Sequence, residues 1–73
     1  MNGMIAIDTT ERSYELNTIL NFINRNGNMT SLDDIAYNTG IAAGDTVELT
    51  SKLAGDGLVG VVRQNGEEYF YPV

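Results

Sequence analysis

Nearly every side chain in this chain that could act as an acid, a base or a ligand is a carboxylate. Ten Asp and Glu stand against Arg12, Arg25, Lys52 and Arg63, and the sequence holds neither His nor Cys. Without imidazole or thiolate it lacks the usual base at neutral pH, the usual nucleophile and the soft metal ligands, and no glycine-rich phosphate loop appears. Two acidic pairs remain as candidates for acid-base work, Asp33-Asp34 and Glu67-Glu68. Neighbouring residues point apart on a helix or a strand, whereas two catalytic carboxylates must flank one bond. The first pair therefore reads as a helix cap and the second as surface. A chain of 73 residues also has little room for a deep substrate cleft. The expectation is a protein that is not an enzyme, with no cofactor and no metal site.

The chemistry left is recognition, and it needs elements to present it. From Glu11 to Arg25, Leu16, Ile19, Leu20 and Ile23 recur at i, i+3, i+4 and i+7, which predicts a helix with one buried face, stopped by Asn26-Gly27-Asn28. Thr30 and Ser31 stand three residues before Asp33 and Asp34, an arrangement like a capping box, so a short second helix starts there and ends at Gly40. Ala42 to Ala54 reads as a third helix. At 100° per residue, Ala42, Ala43, Thr46, Val47, Leu49, Thr50, Leu53 and Ala54 share its inner half, leaving Gly44, Asp45, Glu48, Ser51 and Lys52 outside. On that outer face Lys52 lies at the i+4 spacing that pairs it with Glu48, and Asp45 complements the helix dipole at the first turn.

Leu58 to Gln64 and Glu67 to Val73 are two β-rich runs joined by Asn65-Gly66, the dipeptide of a type I′ hairpin. A two-residue loop sets Gln64 against Glu67, Arg63 against Glu68, Val62 against Tyr69 and Val61 against Phe70. Val62, Tyr69 and Tyr71 then share one face, and Val61 and Phe70 share the other. The pattern alone leaves open which face turns inward. Residues 1–10 form an N-terminal segment before the domain of residues 11–73. Within it Met4 to Ile7 reads as a short strand or a frayed end, and it either covers the outer face of the hairpin or leaves that face free. The run is far too short for a signal-peptide core or a membrane span, and the absence of cysteine suits a reducing compartment. A cytoplasmic location is expected.

Helix, turn, short strand position, helix, glycine turn, helix and hairpin is the order of a winged helix-turn-helix. The stretch Leu32-Asp33-Asp34-Ile35-Ala36 through Thr39-Gly40-Ile41, then Thr46-Val47, Leu53 and Gly57-Leu58-Val59, resembles the segment shared by many bacterial and archaeal winged-helix regulators. The resemblance covers about residues 11–73. It implies an α+β fold of three helices followed by a two-stranded β-hairpin wing, with the third helix as the recognition helix. The same hydrophobic residues would form the core of any small α/β domain.

The resemblance implies a DNA-binding transcriptional regulator, whose contacts would come from Ser51, Lys52, Arg63, Gln64 and Asn65, with Thr46 near the base edges if the helix rolls. The charge argues differently. At a net charge of −6 long-range attraction to phosphate is lacking, and two carboxylates occupy the reading face. The alternative is a protein-interaction module that works through Asp45, Glu48, Tyr69 and Tyr71. Homodimerisation would double every contact. DNA and protein stand as two competing partners, with no membrane and no small-molecule substrate expected.

Overall fold

The computed structural model describes residues 12–73 in full, and residues 2–11 as helical backbone only. The chain runs α1 (Asn2–Asn26), β1 (Thr30–Ser31), α2 (Leu32–Thr39), α3 (Ala43–Gly55), β2 (Val59–Gln64) and β3 (Glu67–Pro72). The fold is α+β: three helices and a three-stranded antiparallel sheet in the order β1-β3-β2.

Two expectations about the elements change. The hairpin does not stand alone, because Thr30 and Ser31 pair with Phe70 and Tyr69 and turn the two-stranded wing into a three-stranded sheet. Thr30, opposite Phe70, is buried beside it, so the short strand serves the core as well as the ladder. The backbone over residues 4–7 is helical rather than extended. Between Met4 and Asn26 there is neither Pro nor Gly to interrupt a helix. Whether Met4 to Ile7 cover the hairpin is a matter of side chains outside the described residues.

Each helix is ended by backbone geometry that its sequence supplies. Gly27 at φ 75° donates its N–H to the Ile23 carbonyl at 3.2 Å and closes α1. Ser31 caps α2, its Oγ accepting from the Asp34 N–H at 3.2 Å, and Asp33 and Asp34 occupy the first turn, where the positive end of the helix dipole favours them. After α3 the Leu58 N–H reaches back to the Leu53 carbonyl and that of Gly57, at φ 77°, to the Ala54 carbonyl. That pair of bonds is a Schellman motif, and it turns the chain from α3 into the hairpin.

The core lies where the three helices meet the inner face of the sheet. Ile19 and Ile23 from α1, Ile35 from α2, Leu49 and Leu53 from α3, and Val59 and Phe70 from the sheet are its buried members. Leu16 and Leu20 complete the expected α1 stripe at the margin of this cluster. Three residues assigned to the inner half of the third helix lie outside: Val47 is 48% exposed, and Ala42 and Ala43 are exposed as well. Thr46 and Thr50 are buried, as expected of that half. A buried threonine is tolerated when its hydroxyl finds a carbonyl one turn back. Thr46 Oγ1 donates to the Ala42 carbonyl at 3.0 Å and Thr50 Oγ1 to that of Thr46 at 2.8 Å.

Candidate macromolecular interface

The outer face of α3 and the hairpin form the candidate site. At the N-terminal half of α3, Asp45 and Glu48 do not look out unpaired. Arg12, reaching across from α1, sets its Nη2 2.6 Å from Glu48 Oε1 and its Nη1 3.6 Å from Asp45 Oδ1, with Glu15 of its own helix at 3.8 Å. The hydrogen bond to Glu48 and then its charge, opposed by burial and aided further by the charges of Asp45 and Glu15, raise the guanidinium's pKa above its already high value. The effect is to neutralise part of the acidity of this face. Sequence reasoning did not find Arg12, because its link to Asp45 and Glu48 spans more than thirty positions and exists only once α1 packs on α3.

With Glu48 held by Arg12, the expected Glu48–Lys52 pair does not form. Lys52 instead approaches Asp56 one turn later, at 3.9 Å, where a carboxylate just past the helix is as close in sequence as Glu48. Ser51 is exposed, as expected of the outer face. Thr46 is not a base-edge candidate, since it is 1% exposed and its hydroxyl is committed to the carbonyls of Ile41 and Ala42. In its place the exposed surface of α3 carries Gly44, as expected, together with Ala43 and Val47, which had been assigned to the inner half.

The hairpin follows the expected register at every pair: Gln64 with Glu67, Arg63 with Glu68, Val62 with Tyr69 and Val61 with Phe70. Asn65 at φ 54° and Gly66 at φ 82° supply the two left-handed positions of the turn, and Gln64 and Asn65 are exposed at its tip. Arg63 Nη2 lies 3.3 Å from Glu68 Oε2, so the cross-strand pair forms. The choice of face is also settled. Phe70 and Val59 turn inward, and Val61 on the same side stays 44% exposed. Gly60, Val62, Tyr69 and Tyr71 face out.

On that outer face Tyr69 Oη donates to Glu67 Oε1 at 2.9 Å. The hydrogen bond to Glu67 and the Glu67 charge raise the phenol's pKa, with slight burial and the Asp34 charge adding to them. Tyr71 lies across the sheet: a Cβ placed on Gly60 would fall into its ring, so Gly60 is the residue that lets the ring lie flat. Of the acidic pairs, Asp33 and Asp34 sit in the first turn of α2, and Glu67 and Glu68 are in contact with Tyr69 and Arg63. Among the described residues no group of three His, Cys, Asp or Glu could hold a metal ion, and no helix is long and apolar enough to cross a membrane.

A concavity of about 400 Å³ lies between α1 and α2, where Tyr14, Asn21 and Arg25 face Asn38 and Thr39. Asn38 spends a donor on the Asp34 carbonyl. Among the described residues Arg25 is the cation that forms no ion pair, and it belongs to this groove rather than to α3 or the hairpin. Comparison with family models, with curated proteins and with solved structures finds no match to the chain.

Proposed function

We propose that the chain is a winged-helix domain that works by binding a protein partner rather than by catalysis. The order helix, strand, helix, helix, hairpin, the glycine turns between them and the residues shared with winged-helix regulators support the fold reading. One observation carries the choice of partner. Each cation on α3 and the hairpin, and the one reaching α3 from α1, already lies against a carboxylate: Arg12 on Glu48 and Asp45, Lys52 near Asp56, Arg63 on Glu68. Affinity for DNA comes largely from cations that displace counterions from phosphates, and each of these is already matched. What it does offer is Val47, Tyr69 and Tyr71, the residue types that enrich protein interfaces.

The DNA-binding regulator stays as the second reading, favoured by the exposure of Ser51, Lys52, Gln64 and Asn65 on the helix face and hairpin tip where a duplex would lie. A titration of duplex DNA followed by fluorescence anisotropy separates the two. The protein reading expects no complex even at low ionic strength. A complex that weakens steeply with salt and disappears in the Lys52→Ala, Arg63→Ala double variant would establish the regulator instead.

A further inference from the structure

The sheet has an open side. In the order β1-β3-β2 the outer edge of β2 pairs with no strand among the described residues, and its six consecutive pairs with β3 run without a bulge. Proteins usually blunt such an edge with a proline, a bulge, an inward charge or a covering loop. β2 (Val-Gly-Val-Val-Arg-Gln) has neither proline nor bulge, and its one charge, Arg63, is matched by Glu68 from the neighbouring strand. An edge in this state is a template for an added strand.

Tyr71 gives that edge chemical character. Its ring lies over Gly60, which places it on β2 rather than on its own strand, and 38% of the residue stays exposed. A strand added at the edge would run about 4.8 Å from β2, so an outward side chain opposite Gly60 would meet the ring. The surrounding charge selects what that side chain is. The chain carries −6 overall, and Glu67, which forms no ion pair among the described residues, faces Gln64 at the turn end of β2. A ring face in such a field favours a cation.

We propose that the free edge of β2 accepts an extended segment of a partner protein bearing Arg or Lys, by strand addition, with the Tyr71 ring over Gly60 as the platform for one of its cations. This deepens the protein-partner reading and rests on it. A second copy of the chain is the poorer occupant, because two bodies of charge −6 repel.

The probe is a fluorescent peptide of about eight residues, one strand's length, alternating Arg and Val, with a Glu-Val peptide as its counterpart. Binding is followed by anisotropy, and amide hydrogen exchange is read residue by residue across β2. The Arg-Val peptide is expected to bind and to slow the exchange of alternate amides between Val59 and Gln64. The Glu-Val peptide should not bind. Tyr71→Ala should weaken the complex roughly fivefold, the size of an exposed cation–π contact, and Tyr71→Phe, which keeps the ring, should restore it. Failure of the Arg-Val peptide to bind, equal binding of both peptides, binding without protection of β2, or indifference to Tyr71→Ala in a folded variant would each overturn the proposal. So would a dimer whose β2 amides are already protected without peptide. Duplex DNA judges the partner class separately, so silence towards both DNA and peptide removes the edge while leaving the protein reading in place.

Discussion

At the scale of single residues, the surface chemistry is a set of charges that satisfy one another. Arg12 is the clearest case: it draws Asp45 and Glu48 into one cluster and leaves the outer face of α3 less acidic than its sequence. Because these groups are exposed, the cluster matters more for what can approach the face than for stability. Tyr69 is tied to Glu67 in a way that pH can read. The hydrogen bond to Glu67, followed by the repulsion its carboxylate would exert on a phenolate, raises the Tyr69 pKa. The folded state therefore favours the neutral phenol. Its contribution is complete below the ordinary tyrosine value of about 10 and is lost as pH rises through the raised one. Glu67→Gln removes the charge and should lower the Tyr69 midpoint, followed by NMR of its ring protons, while hardly changing stability at neutral pH. A midpoint that stays in place would mean the carboxylate does not govern it.

At the scale of elements, boundaries are set by a few polar groups and left-handed residues. Ser31 has two duties, pairing with Tyr69 as the end of β1 and capping α2 through its hydroxyl. Ser31→Ala keeps the strand pair and loses only the cap. Unfolding by urea should show a loss of about 1 kcal/mol, whereas Ser31→Gly should cost only a few tenths through the cap itself. An unchanged Ser31→Ala variant would mean that water caps the helix equally well. The hairpin shows the same economy of means, since Asn65 and Gly66 fix its loop length and the loop length fixes which residues pair across it.

At the scale of the whole molecule, charge and smallness act together. For 73 residues the usual range per residue gives a stability of roughly 4–11 kcal/mol, and a net charge of −6 opposes compactness by self-repulsion. Salt at about 0.1 M shortens the Debye length to about 10 Å. It weakens both the ion pairs and the repulsion, but the pairs are exposed and worth little. The thermal midpoint is therefore expected to rise as salt is added. A falling midpoint would show that the clusters around Arg12 and Arg63 contribute more than their exposure suggests.

What the amino-acid order alone determined was local. The α1 stripe, the Ser31 cap, the Gly40 stop, the hairpin register and the Arg63–Glu68 pair all depend on residues within about a turn or across a two-residue loop, where helix and strand geometry dictate the contacts. Only the tertiary structure decided that Thr30 and Ser31 join the sheet, that Phe70 rather than Tyr69 faces the core, that Val47 is left outside, and that Arg12 takes Glu48 away from Lys52. Each of those outcomes depends on how one element sits on another. Helical periodicity can rank a face as apolar, but the area the neighbouring elements cover decides which of its residues are buried, and a charge pairs with whichever opposite charge packing brings within reach.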